Sequence, residues 1–233
     1  MAEAKQMNSL FIVSLPRSMS SLTYHIARTV LGLNFPSWTS DGEIMNVDRY
    51  AFFSGPTHDT GIKFTVKEND PALFQTMTDF LNQVTVSNGF VYKDVIQPFV
   101  VSEWLKSTQF RILRIKRDLA DVVYSMMAKG WHYPKSAART EKDLLDSIIE
   151  GIIRADHAMD ALPCECVNYD DLVADESVLR NALSQLYPEA VLHGFQFNQT
   201  FRDIRDAVLE RRSTEQYKML SEKIQQSIEA IEI

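Results

Sequence analysis

Six consecutive residues, Pro16-Arg17-Ser18-Met19-Ser20-Ser21, place one guanidinium and three hydroxyls between an apolar run and a helical stretch. A helix start presents unpaired backbone N–H groups and the positive end of the helix dipole. Hydroxyls and an arginine converging there can hold a phosphate or a sulfate. Taken alone, the same residues also read as a serine-capped helix with a solvated arginine. The segment is not a Walker A loop, because it has neither the glycines nor the Gly-Lys pair of that motif. An ATP kinase is disfavoured accordingly, since lysine and a magnesium-binding hydroxyl have fixed places in that mechanism.

A second constellation follows a later apolar run, in Arg117-Asp118-Leu119-Ala120-Asp121-Val122-Val123-Tyr124-Ser125. Arg117 ends the expected strand, and Ser125 lies two turns into the next helix with Asp121 between them. A strand-end arginine and a helix serine can share one anion if the helix folds back beside the strand. The competing reading is a surface charge network on an amphipathic helix.

The two segments together resemble the PAPS-dependent sulfotransferase family, PAPS being 3′-phosphoadenosine 5′-phosphosulfate, the sulfuryl donor. A third segment, Val167-Asn168-Tyr169-Asp170-Asp171-Leu172, looks like the family's strand-end Tyr-Glu-Asp-Leu. The matches run in family order over residues 10–172, and the remainder fits only loosely. The resemblance implies that Arg17 contacts the sulfuryl and bridging oxygens, while Ser18, Ser20 and Ser21 hold the 5′-phosphate. It further implies that Arg117 and Ser125 hold the 3′-phosphate and that Tyr169 lies near the adenine. No metal is expected, since the family's sulfuryl transfer rests on positioning and electrostatic stabilisation. Met19 stands where the family loop has glycine, which lets backbone approach an anion closely and adopt positive φ. Methionine there is expected to narrow the pocket or reshape the loop. Leu119 replaces the usual proline.

A hydroxyl acceptor needs a general base within hydrogen-bond reach. Many family members use a histidine in Lys-x-His after the second strand; here the stretch is Lys93-Asp94-Val95, so the lysine remains and the histidine is lost. Other branches use a glutamate after the first helix, and Glu43 fits that position. Glu43 is therefore the candidate base and Lys93 a charge-stabilising partner, with Asp94 and His132 as weaker candidates. An exposed loop glutamate is the alternative. The aromatic segment Trp131-His132-Tyr133-Pro134 lies among Lys129, Lys135 and Arg139. It reads as a lid over a small aromatic or acidic acceptor, or else as an ordinary packed loop.

These residues need elements to position them. Short apolar runs alternate with helical stretches, which predicts an α/β domain with a mainly parallel sheet flanked by helices, in the three-layer P-loop manner. Strands are expected at 10–14, 90–92, 110–115 and 164–169. Helices are expected at 20–33, from Asp70-Pro71 onward, and at 118–129 with Gly130 as a left-handed end. Further helices are expected at 140–162, 176–187, 201–211 and 214–233. A break is expected at Ser54-Gly55-Pro56. Ser213 and Gln216 have capping-box spacing for the last helix. Its stripe of Tyr217, Leu220, Ile224, Ile228 and Ile231 suits docking on its own core or a homodimer contact.

Composition sets the outer bounds. The chain has 233 residues, 24% of them charged and 45% hydrophobic, which fits one globular domain over 1–233. A net charge of −7 argues against a general nucleic-acid binder, though not against a local basic pocket. Two cysteines, Cys164 and Cys166, and five scattered histidines make a structural zinc site improbable. The thiols read as buried and free in a reducing cytoplasm. No signal peptide and no membrane span is expected.

The reading that follows is a sulfotransferase moving a sulfuryl group from PAPS to a hydroxyl or amine of a small acceptor. The alternatives are a catalytically inactive adenine-nucleotide-binding protein of the same fold and, further off, an ATP-dependent small-molecule kinase.

Overall fold

Along β1 (Leu10–Ser14), Leu10 and Ile12 point to one face and Phe11 and Val13 to the other, and all four are buried. A strand apolar on both faces must be covered on both. In this computed structural model, residues 7–39, 41–45, 64–85, 88–192, 194 and 196–231 are described. The expected break at 54–56 lies outside them.

β2 (Val91–Asp94), β3 (Arg111–Lys116) and β4 (Glu165–Asn168) complete a sheet of order β2-β1-β3-β4, in which every pairing is parallel. Phe11, Val13, Tyr92 and Ile112 pack against α2 (Pro71–Val84), α3 (Pro98–Leu105), α4 (Leu119–Met127), α5 (Leu144–Asp160) and α9 (Glu215–Ala230). Leu10, Ile12, Val91, Leu113 and Val167 pack against α1 (Ser20–Leu31), α6 (Tyr169–Ala174), α7 (Ser177–Leu186) and α8 (Asn198–Arg212). The result is the α/β three-layer arrangement with helices on both faces.

The strand order also fixes where a ligand can sit. From β1 the chain steps out to β2, then returns past β1 to β3 on its other side. Crossovers therefore diverge between β1 and β3, leaving a crevice at their carboxyl ends. The two arginine-bearing loops leave the sheet at those two ends.

Several expected boundaries shift. α1 stops at Leu31, because Gly32 takes φ 63 and its N–H closes on the Arg28 carbonyl. α4 ends at Met127, and Gly130 turns left-handed at φ 69 beyond it. α5 begins only at Leu144, where the Asp143 carboxylate accepts from the Asp146 N–H. The Ser213/Gln216 capping box does not form. Ser213 is still helical at φ −75, ψ −15, whereas Thr214 has the extended ψ of 146 that a cap requires. Thr214 caps α9 by accepting from the Tyr217 N–H.

α3 was not expected at all. Its Phe99, Val100 and Val101 form a continuous apolar run without a helical stripe, which periodicity cannot distinguish from a strand. The α9 stripe docks on the core through Tyr217 and Ile224, while Ile228 is 37% exposed. Cys166 is exposed and Cys164 half-buried, against the expectation of two buried thiols. β4 is an edge strand, and only its Val167 face is covered.

Candidate functional site

The loop between β1 and α1 is conformationally costly. Arg17 (φ 65) and Met19 (φ 66) are left-handed, the only non-glycine residues at positive φ among those described. Such backbone costs on the order of 1–3 kcal/mol per residue and clusters at ligand sites. The Met19 carbonyl accepts from the Thr23 N–H at 3.0 Å to open α1. The Ser18 hydroxyl is buried and donates to the Pro16 carbonyl at 3.4 Å. Ser20 is buried as well, and the Ser21 hydroxyl reaches Asp41 at 3.4 Å.

Around this loop lies a cationic end. Arg17 Nε donates to the Ser125 hydroxyl at 3.3 Å, and its guanidinium lies 5.5 Å from the Trp131 ring centre. Arg117 donates to the Arg17 carbonyl and stacks over Tyr169 at 4.1 Å. Thus the two loops are tied together, with Ser125 bonded to Arg17 rather than to Arg117. Arg117 faces Asp121 at 3.8 Å. Burial lowers the Arg117 pKa, and Tyr169 and Asp121 only partly oppose that. Burial likewise raises the Tyr169 phenol despite the neighbouring Arg117.

One fully buried carboxylate, Asp121, serves three arginines. Arg212 Nη2 meets it at 2.5 Å and also clamps Asp170 at 2.9 Å, pinning the end of α8 to α4 and α6. Arg211 Nη1 stays 3.7 Å from Asp121. Arg117 Nε and Arg211 Nη1 are buried without a hydrogen-bond partner among the described residues. Both nitrogens face Asp121, at 3.8 and 3.7 Å. Arg17, Arg117, Arg211 and Arg212 thus gather around two carboxylates, Asp121 and Asp170, and leave this end with a surplus of positive charge.

A second, anionic end lies at β2. Residues 42–44 run along its edge: the Lys93 N–H donates to the Gly42 carbonyl and the Ile44 N–H to the Lys93 carbonyl, both at 2.9 Å. Gly42 has φ 78, and a Cβ there would lie 2.2 Å from the Tyr24 ring, so only glycine fits. The buried Lys93 ammonium bridges Glu43 at 2.6 Å and Asp41 at 3.1 Å. Burial alone would lower Lys93, but Glu43 and Asp41 outweigh it and hold the ammonium above its ordinary pKa. Burial would raise Asp41, but Lys93 and the Glu43 N–H pull it below the usual carboxylate range.

Glu43 Oε1 accepts from the Val95 N–H at 3.2 Å. Asp94 Oδ2 accepts from the Ile96 and Gln97 N–H groups at 3.1 and 2.7 Å. Asp94 Oδ1 is buried without a hydrogen-bond partner among the described residues. Burial, followed by the Glu43 charge, pushes Asp94 well above the usual carboxylate range.

The two ends open into one pocket of about 610 Å³. Its wall includes Arg17, Ser18, Met19, Ser20, Ser21, Glu43, Lys93, Arg117, Ser125 and Tyr169, so the structure brings every leading candidate together. Val95 also lines it, while the weaker base candidates stay off the wall: Asp94 is buried behind it and His132 is exposed. Sequence reasoning missed Asp41 and the α8 residues Ile204, Val208 and Arg211. Nothing in the spacing of α8 marks its inner face; only the Arg211-Arg212 pair hinted at an anion. Among the described residues, no group of three or more His, Cys, Asp or Glu could hold a metal ion. No helix among them is long and apolar enough to cross a membrane.

No family model and no curated protein matches the chain. Among solved structures, it is similar to the sulfotransferase domain from the curacin biosynthetic pathway, at 14% identity and a TM-score of 0.43, covering 79% of this chain and 74% of that one. It is also similar to the sulfotransferase domain from the Synechococcus PCC 7002 olefin synthase, at 14% identity and a TM-score of 0.47, covering 99% of this chain and 98% of that one.

Proposed function

We propose that residues 1–233 form one sulfotransferase domain that moves a sulfuryl group from PAPS to a small acceptor. The observation that carries this reading is the bipolar pocket. Arg17, Arg117 and Arg211 line one end, and a buried carboxylate paired with lysine lines the other. The first suits a ligand with two separated phosphate groups, and the second suits deprotonation of a nucleophile beside it.

The residues present fit the donor. Arg117, Arg211 and Ser125 would hold its 3′-phosphate, and the start of α1 with Ser18, Ser20 and Ser21 its 5′-phosphate. Tyr169, already a cation–π partner of Arg117, would flank the adenine. PAPS supplies an activated sulfur with a phosphate leaving group. Glu43 takes the acceptor proton as the new bond to sulfur forms. The sulfur–phosphate oxygen bond breaks, and its electron pair stays on the phosphate oxygen, where Arg17 offsets the charge. Lys93 keeps Asp41 as a counterion once Glu43 is protonated, so the buried ammonium is never unpaired.

One observation favours the catalytically inactive nucleotide-binding alternative. Met19 reaches the left-handed conformation natural to glycine, but its side chain lines the pocket where glycine would leave room. Incubation with labelled PAPS and a panel of small alcohols, phenols and amines separates the two. Label transfer supports the sulfotransferase, and donor binding without transfer to any acceptor supports the inactive protein.

A further inference from the structure

Tyr133 is 7% exposed, and its hydroxyl has no hydrogen-bond partner among the described residues. It begins the 3-10 turn Tyr133–Ala137, and its side chain lines the pocket. Its ring sits edge-on to Phe64 at 5.2 Å and 6.0 Å from Trp131. Three groups of the site act on its hydroxyl: Glu43, Asp94 and Arg17.

The turn is held firmly, so the hydroxyl does not lack a partner through slack. The Ser136 hydroxyl donates to the Phe64 carbonyl at 3.1 Å, and Asn69 Nδ2 donates to the Ser136 carbonyl at 3.1 Å. α5 presses on the turn at Gly151, where a Cβ would lie 2.3 Å from the Pro134 carbonyl oxygen. A buried hydroxyl left unpaired is a cost to the fold. Burial first, then the charges of Glu43 and Asp94, raises the phenol well above its ordinary pKa, so it stays a donor at working pH.

We propose that Tyr133 positions the acceptor by donating a hydrogen bond to the same acceptor oxygen that gives its proton to Glu43, and that the site therefore selects hydroxyl over amine acceptors. The inference rests on the sulfotransferase reading. Its chemistry follows from lone pairs. A hydroxyl oxygen has two: one forms the bond to sulfur and the other accepts from Tyr133, while the proton passes to Glu43. An amine nitrogen has one, and sulfur needs it. In front of an amine the Tyr133 hydroxyl stays unpaired, as it is in the free site, so only a hydroxyl acceptor gains the bond.

The test compares the parent with Tyr133→Phe, using 2-naphthol and 2-naphthylamine as probe acceptors with labelled PAPS. The variant should lose on the order of tenfold or more in kcat/KM for 2-naphthol. Its rate with 2-naphthylamine and its affinity for 3′-phosphoadenosine 5′-phosphate should be unchanged. Its melting temperature without ligand should equal or exceed the parent's, because an unpaired buried hydroxyl has been removed. Equal losses on both acceptors, no loss on 2-naphthol, or a lower melting temperature would each overturn the inference. So would a bisphosphate-loaded parent that neither binds nor sulfates 2-naphthol. A parent that does not bind the bisphosphate removes the sulfotransferase reading itself, a result distinct from all of these.

Discussion

At the β1/β3 end of the pocket, Arg117, Arg211 and Arg212 share Asp121, and only Arg212 has a second carboxylate, Asp170. At the β2 end the ratio is reversed: Lys93 is shared by Asp41 and Glu43, with Asp94 buried behind and its pKa raised. The first end is short of negative charge, which suits the proposed anionic donor. The second end is nearly balanced by its own residues, so it offers a ligand a proton acceptor rather than a field. Binding strength should therefore reside at the cationic end and rate at the anionic end.

The largest expected effect is on rate. Glu43→Gln should slow sulfuryl transfer by a factor on the order of 10²–10⁴, with bisphosphate affinity little changed. Glutamine keeps the shape and the contact with the Val95 N–H while removing the proposed base. An active variant with an unaltered pH profile would dissolve the division between the two ends. Lys93→Ala should also slow transfer, through lost charge stabilisation.

The next largest is on affinity. Arg117→Ala should weaken bisphosphate binding by roughly 1.5–3 kcal/mol, the range for hydrogen bonds to charged groups. Its guanidinium also fixes the Arg17 carbonyl, so the loss includes loop order. Ser125→Ala should cost less, because that hydroxyl already serves Arg17. Titration calorimetry reads both, and parent-like affinity in both would move the phosphate site elsewhere.

Asp94 sharpens the comparison through pH. Its pKa is raised in the folded state, so its contribution is fully present below the unfolded carboxylate pKa and is lost as pH rises through the folded value. Asp94→Asn cannot ionise, and its amide oxygen can still accept from the Ile96 and Gln97 N–H groups. Its melting temperature should therefore gain on the parent's as pH rises, by on the order of 2–4 °C per kcal/mol. A difference that is constant from pH 5 to pH 8 would mean that the fold does not raise the Asp94 pKa.

The smallest effect belongs to Met19→Gly. Glycine removes the left-handed penalty, about 1 kcal/mol, partly offset by its larger unfolded-state entropy. Tighter bisphosphate binding alongside higher stability would mean that methionine obstructs an otherwise normal loop. Weaker binding would mean that the methionine side chain is part of the donor wall.

The cationic end was legible because its parts are local. Arg17 and Arg117 each follow a strand directly, and a parallel sheet delivers both strand ends to one crevice. Even the strained Met19 could be read, as the residue standing where glycine is expected. The anionic end was legible in its residue types but not in its electrostatics. Glu43 and Lys93 are 50 positions apart, and only the pairing of residues 42–44 with β2 places their side chains at 2.6 Å. The raised pKa of Asp94 comes first from burial, which no spacing reveals. Arg211 escaped notice for a third reason: α8 reaches the pocket through tertiary packing alone.

The central claim is that the cationic end fits a 3′,5′-bisphosphorylated adenosine. Titration calorimetry of the parent with 3′-phosphoadenosine 5′-phosphate, against ATP with magnesium, tests it most directly. The account predicts saturable binding of the bisphosphate that Arg117→Ala weakens, and much weaker binding of magnesium-ATP. Equal affinity for the two, or no binding of the bisphosphate, would contradict it.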